Sequence, residues 1–140
     1  MPAIITSVKP VRAIAFLTAL FLIPYLVFLS MPPIGSSTEA REAQVAWSIF
    51  ERGDWILPLR NGLVPSKPML YHWCSAFLAL LCGSHEIWQL RLVSLLFSAG
   101  VLVLCLSLAW RWSRGSLAVC MISGMLLSLT YGFSVLVVQI

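Results

Sequence analysis

The sequence contains very little charge. Charged residues make up only 10% of the chain and hydrophobic residues make up 60%, and the mean hydropathy is +0.95. Soluble domains usually carry about 25% charged residues. The composition therefore excludes an ordinary soluble domain and predicts a membrane protein.

Features of nucleic-acid and metal binding are also missing. The net charge is +4, but there is no basic run. Most of the excess lies where membrane topology explains it, at Lys9, Arg12, Arg111 and Arg114. The four cysteines show neither a CxxC motif nor metal-ligand spacing, so we expect them to be small buried hydrophobes. We expect no nucleic-acid partner and no metal ligands in this chain, and the sequence leaves open whether a divalent metal is needed.

The few acidic residues are concentrated in one segment. All acids except Glu86 lie between Met31 and Tyr71. The same segment carries basic residues that balance this charge, namely Arg41, Arg52, Arg60 and Lys67. The flanking sequence is almost purely apolar. We interpret this balanced polar insert, which lies between apolar runs, as a functional site.

Three uncharged runs are long enough to cross a bilayer, which takes about 20 apolar residues. A signal peptide is the alternative for the first run, because Lys9 and Arg12 precede it. That run is long for a signal peptide and no clean A-x-A site follows, which favours an uncleaved span. The sequence therefore predicts an all-α, polytopic membrane protein with one membrane domain over residues 1–140 and three transmembrane helices, at residues 13–31, 92–110 and 116–138.

A fourth apolar stretch, residues 68–82, is short for a span. If it lies along the surface, Lys9, Arg12, Arg111 and Arg114 all fall on the inner side, as the positive-inside rule prefers. We therefore predict an interfacial helix here, within an extracytoplasmic (periplasmic) loop over residues 32–90 of an inner or plasma membrane protein. The sequence ends at Ile140 within or just at the end of the third run, so we expect a fragment or truncated gene product.

The loop is predicted to contain a juxtamembrane helix from about Glu39 to Arg52, which ends at Gly53. Glu39 and Glu42 lie in its first turn, where they either complement the helix dipole or serve as catalytic or substrate-binding carboxylates. Lys67 either pairs with a lipid phosphate or snorkels beside the next helix. We expect His72 to be an interface residue and His85 to be solvated.

The order and spacing of several motifs are recognisable. EAREAQVAWSIFERGDWILPLRNG is followed by KPMLYHW, by Gly83 and by QLRLVSLLFSAG. This set, over about residues 37–115, resembles the amino-terminal part of membrane glycosyltransferases of the GT-C architecture. The closest groups are the aminoarabinose transferases of lipid A and the protein mannosyltransferases (glycosyltransferase family 39).

The resemblance implies that a sugar passes from a polyprenyl-phosphate donor to a lipid or protein acceptor at the extracytoplasmic face. Cations would stabilise the departing lipid phosphate, and a carboxylate would help deprotonate the acceptor. Glu39 matches the Glu of the family's Asp-Glu pair, and since the catalytic Asp of that pair aligns with Thr38, Glu39 is the expected catalytic carboxylate in its place. No cofactor other than the donor substrate is implied. The expected substrate-binding residues are Lys67, Arg41, Arg60 and Tyr71.

The sequence departs from the family pattern at important positions. Thr38 replaces the family's catalytic Asp, Ser66 replaces the Glu before Lys67, and Val93 replaces a Pro. Because a carboxylate is missing at position 38, we expect the isolated chain to be inactive and to need the remainder of the enzyme. The alternatives are a non-catalytic membrane module that binds polyprenyl phosphate or a partner subunit, and an unrelated three-span protein.

Overall fold

The computed structural model describes residues 10–30, 37–60, 62–65 and 68–130. Over these residues the chain is all-helical, as predicted. The only β-type pairing in the described ranges is an isolated bridge between Arg60 and Leu63. The elements in chain order are α1 (Pro10–Leu26), a 3-10 turn (Val27–Ser30), α2 (Ser37–Arg52), α3 (Leu70–Cys82), α4 (Ile87–Trp112) and α5 (Leu117–Leu129).

The apolar helices α1, α4 and α5 form one bundle in which α4 contacts both of the others. Leu22 of α1 packs with Leu95 and Leu102 in the first half of α4. Leu17, nearer the start of α1, packs with Leu106 near the end of α4. The two helices therefore run antiparallel. Cys120 at the start of α5 also contacts the end of α4, so α5 runs antiparallel to α4 as well.

The polar helix α2 and the short helix α3 pack against each other and against the start of α4. Ala43 and Ala46 of α2 enclose Leu90 in the first turns of α4. Alanines allow the two helix backbones to approach closely. Both α2 and α3 are therefore held at one end of the apolar bundle, and Arg111 lies in the last turn of α4 at the other end.

Helix α4 carries polar residues on its buried side and apolar residues on its exposed side. Its buried residues include Gln89, Ser94 and Ser98 among several apolar ones. Other large apolar residues of α4 point outward, and Leu96 and Leu104 are both more than half exposed. A contiguous exposed apolar face is rare on soluble monomers. Here it agrees with a helix whose surroundings are apolar.

Within the described residues, one helix is both long and apolar enough to cross a membrane, and it is α4. Its 26 residues span roughly 39 Å at 1.5 Å per residue. The helices that correspond to the other predicted spans, α1 and α5, have 17 and 13 residues. The predicted span 116–138 also extends past residue 130, beyond the described residues.

Several predicted helix ends differ from the structure. Helix α4 begins at Ile87 rather than at residue 92, because Glu86 and Gln89 form a reciprocal capping box at its start. The last turn of the predicted loop 32–90 is therefore helical. Helix α1 ends at Leu26 and continues as a 3-10 turn. The predicted stop at Gly53 is confirmed: Gly53 has a φ of 72°, a conformation that glycine adopts readily.

Candidate functional site

A cluster of polar side chains lies where α2, α3 and α4 meet. We call it the polar junction and define it by Glu39 and Glu42 of α2, Tyr71 and His72 of α3, and Arg91 of α4. Because α2 begins at Ser37, Glu39 lies in its first turn, and Glu42, which was expected in the first turn as well, lies in the second. The two carboxylates share one side of the helix, since positions three apart are neighbours. Both glutamates are buried, with 4% and 6% of their surface exposed.

Glu39 is paired with Arg91, which lies 52 residues further along the chain. Nε of Arg91 donates a hydrogen bond to Oε1 of Glu39 over 2.7 Å. Nη2 of Arg91 donates to Oε2 over 3.3 Å. This bidentate geometry is the strong form of an arginine–carboxylate pair. The expected catalytic carboxylate is therefore engaged through both of its oxygens.

Glu42 is paired with His72. Nε2 of His72 lies 2.7 Å from Oε2 of Glu42, and the side chain of His72 is only 1% exposed. His72 is thus a buried partner of a carboxylate and not the interface residue that we expected. Its Nδ1 makes no hydrogen bond in the part of the chain that the structure describes.

Tyr71 joins α3 to α4 on the other side of the junction. Its hydroxyl donates a hydrogen bond to the carbonyl oxygen of Leu90 over 3.1 Å. The hydroxyl of Ser94 lies 3.4 Å from the tyrosine oxygen. The pKa of Tyr71 is raised to about 12, chiefly by burial and also by the charges of Glu42 and Glu39, while the hydrogen bond from Ser94 opposes the shift. Tyr71 therefore acts as a neutral hydroxyl at physiological pH.

The raised pKa of Tyr71 gives a testable prediction. Because its folded pKa of about 12 lies above the ordinary tyrosine value of 10.0, the folded state holds this proton more tightly than the unfolded state. Its contribution to stability is complete below pH 10 and is lost as the pH rises to about 12. In an absorbance titration at the tyrosinate band, the difference between wild type and Tyr71→Phe should show a midpoint near 12. A midpoint at the ordinary value would contradict the buried position.

The structure separates the other expected substrate-binding residues from this junction. Arg41 is exposed, and it points about 200° around the helix from Glu39. Arg60 lies in the loop after α2. Lys67 lies outside the described residues, and so does the side chain of Thr38. The described structure therefore brings together Glu39 and Tyr71 but neither Arg41 nor Arg60.

Arg60 instead lines an open groove of about 210 Å³ on the outer side of α2. The groove also contains acidic, basic, amide and aromatic side chains of α2, namely Gln44, Trp47, Glu51 and Arg52. The ring of His85 contacts the ring of Trp47 edge-on, with the ring centroids 5.4 Å apart. We expected His85 to be solvated. It is exposed, and its ring also contacts the rings of Trp47 and Phe50.

Comparison with protein-family models, with curated proteins and with solved structures finds no match for this chain. Its function is therefore inferred from its own residues and from the motif resemblance above. Over the described residues, no three His, Cys, Asp or Glu side chains converge as metal ligands would.

His72 and Arg91 were not predicted to belong to the site, and Glu42 was predicted as a candidate carboxylate but not as the partner of His72. One sequence signal for His72 and Arg91 was present. An ionisable residue within an otherwise apolar helix needs a partner, and it marks a functional or structural site by default. The identity of each partner could not be read from spacing, since the pairs span 30 and 52 residues.

Proposed function

We propose that this chain is the amino-terminal part of a membrane glycosyltransferase, which transfers a sugar from a polyprenyl-phosphate donor to a lipid or protein acceptor. In this proposal α1, α4 and α5 cross an inner or plasma membrane, and the polar junction faces the extracytoplasmic side. The observation that carries it is the pair of buried carboxylates at the start of α2, each bonded to a basic side chain of a different helix. Buried ionisable groups at the end of an apolar bundle are expensive, and they usually mark function.

The distribution of positive charge supports this orientation. Leu17 in α1 packs near the end of α4 and the start of α5, so Arg12 lies toward that end of the bundle. Arg111 in the last turn of α4 and Arg114 in the following turn lie at the same end. The polar junction lies at the opposite end. An excess of arginine at one end of a bundle is typical of the cytoplasmic side.

The proposed reaction needs cations for the leaving group and a carboxylate for the acceptor. The departing lipid phosphate is anionic, so cations must stabilise it. Lys67, Arg60 and Arg41 are the candidates that the resemblance supplies. The acceptor hydroxyl needs a carboxylate to take its proton, and Glu39 is the candidate. Glu39 must release at least one hydrogen bond from Arg91 to act in this way.

The alternative is a non-catalytic module that binds polyprenyl phosphate or a partner subunit. Two observations favour it. Both oxygens of Glu39 are engaged by Arg91, and Thr38 stands where the resembling enzymes carry their catalytic Asp. The two proposals share the lipid phosphate as ligand and differ in whether the sugar is transferred to an acceptor hydroxyl.

Binding of the lipid phosphate is tested with Lys67→Met. We expect the chain in lipid nanodiscs to bind radiolabelled polyprenyl phosphate about tenfold more weakly after this change, because one charge-assisted hydrogen bond contributes about 1.5 kcal/mol. Arg111→Met is the matched control, because it removes the same charge at the opposite end of the bundle. Equal affinity for wild type and both variants would overturn both proposals.

Transfer of the sugar separates the two proposals. The donor carries a radiolabelled sugar, a membrane extract supplies lipid and protein acceptors, and the chain is assayed as wild type and as Thr38→Asp in the longest gene product. Transfer of the label to an acceptor that increases in Thr38→Asp and disappears when Glu39→Gln is added supports the enzyme. Lipid binding without transfer in any variant supports the non-catalytic module.

A further inference from the structure

The segment between α2 and α3 exposes a group of large apolar side chains. We call this group the apolar loop surface and define it as Trp55, Ile56, Leu57, Leu63 and Val64. Ile56 is 91% exposed, and each of the last three is more than half exposed. Isolated exposed apolar residues are normal on any protein. Five of them in one short segment need an apolar environment.

The apolar loop surface is held in a defined place beside α3. The indole Nε1 of Trp73 donates a hydrogen bond to the carbonyl oxygen of Trp55 over 2.7 Å. The backbones of Arg60 and Leu63 exchange two hydrogen bonds of 2.9 Å, which close the loop. Pro58 is buried and anchors the segment between its two apolar parts. The exposed side chains are therefore presented by a structured loop.

Helix α3 continues this apolar surface. The polar side chains of His72 and Ser75 lie on its buried side, together with Ala76 and Ala79. The side that points away from α2 and α4 carries mainly large apolar residues, and none of the 13 residues of α3 is charged. Its exposed large hydrophobics are Leu70, Trp73, Phe77, Leu80 and Leu81.

The burial pattern of α3 indicates what covers its apolar surface. A helix that buries its polar residues and exposes its apolar ones is stable when its outer surroundings are hydrocarbon. The contacts of α3 with α4 involve the first turns of α4, at Leu90 and Ser94. Helix α3 therefore lies at one end of a helix long enough to cross a bilayer, at the depth of an interface.

We propose that the apolar loop surface and the outward side of α3 together insert into one leaflet of the membrane, to a depth of about 5–10 Å. Asp54 and Arg60, which flank the first apolar part of the loop, then lie at the level of the headgroups. Trp55 and Trp73 lie at the boundary between headgroups and acyl chains, where tryptophan is enriched. The proposal concerns lipid contact and does not depend on sugar transfer.

Tryptophan quenching tests the depth of the loop. The chain is reconstituted at one copy per nanodisc in phosphatidylcholine that carries bromine either high or low on the acyl chain. The difference in emission between wild type and Trp55→Phe isolates the signal of Trp55. We expect this signal to be quenched more strongly by the shallow bromines than by the deep ones, and to be shielded from aqueous iodide.

A charge variant and a matched control test the cause of the insertion. Ile56→Asp places a carboxylate at the most exposed apolar position of the loop, where it replaces no buried contact. We expect it to abolish the bromine quenching of Trp55 and to restore quenching by iodide. Gln44→Asp adds the same charge at an exposed position of α2, and it should leave both signals unchanged.

If a second copy of the chain or water covers this surface instead of lipid, the results differ. Shielding of Trp55 from iodide that appears only with several copies per disc would identify a second copy of the chain as the occupant and overturn the proposal. Free access of iodide to Trp55 at one copy per disc, without bromine quenching, would show that the surface faces water and would also overturn it.

Discussion

Arg91→Leu should destabilise the folded chain by about 3–5 kcal/mol, because it removes one partner of a buried ion pair. Glu39 is held at 5% side-chain exposure, so its carboxylate cannot return to water without disrupting the contact between α2 and α4. The measurement is the free energy of unfolding in mixed detergent micelles, followed by far-ultraviolet circular dichroism.

The double variant Glu39→Leu with Arg91→Leu provides the decisive comparison. Replacing both members of a buried pair with apolar residues is often nearly neutral, so the double variant should be more stable than Arg91→Leu alone. Arg111→Leu is the control, because its side chain is exposed and its loss should change stability little. A loss below about 1 kcal/mol for Arg91→Leu is typical of a surface pair and would contradict the buried geometry.

His72→Leu should lower the free energy of unfolding by about 2–3 kcal/mol, since it leaves a buried carboxylate without one of its hydrogen-bond partners. Glu42 accepts its hydrogen bond from Nε2 of His72 over 2.7 Å. The same assay applies, and the loss should be accompanied by faster proteolysis in the loop that joins α2 to α3, because this pair holds the two helices together.

Two further variants separate the hydrogen bond from simple packing. Glu42→Gln keeps an oxygen that can accept from His72 while removing the charge, so we expect a smaller loss of about 1 kcal/mol. His85→Leu changes an exposed histidine that contacts the rings of Trp47 and Phe50, and it should be nearly neutral. Equal losses for His72→Leu and His85→Leu would show that the pair with Glu42 contributes nothing.

The helices could be predicted because each leaves a local signal. The uncharged stretches predicted α1, α4 and α5, and Gly53 predicted the end of α2. The start of α4 was missed because Gln89 and Arg91 interrupt the apolar run. A reading based on hydropathy stops at those residues, whereas the helix is set by hydrogen bonds between Glu86 and Gln89.

The site was less predictable than the fold, for a physical reason. Glu39 is buried because α2 packs against α4, and this packing also brings its carboxylate to Arg91. A first-turn glutamate looks the same in sequence whether it faces solvent or a buried arginine. The apolar residues of α3 predicted a surface helix, but the choice of its inward side depended on where Glu42 could meet His72.

The pairing of Glu39 with Arg91 also constrains how the chain is made. The carboxylate precedes its partner by 52 residues, so α2 emerges from the ribosome before α4 does. An arginine in the first turns of a helix that enters a bilayer carries an energetic cost, which an acidic partner reduces. Here a buried acid is already in place when that helix arrives. Early synthesis of α2 can therefore lower the barrier to insertion of α4, and deletion of α2 should make α4 enter the membrane less efficiently.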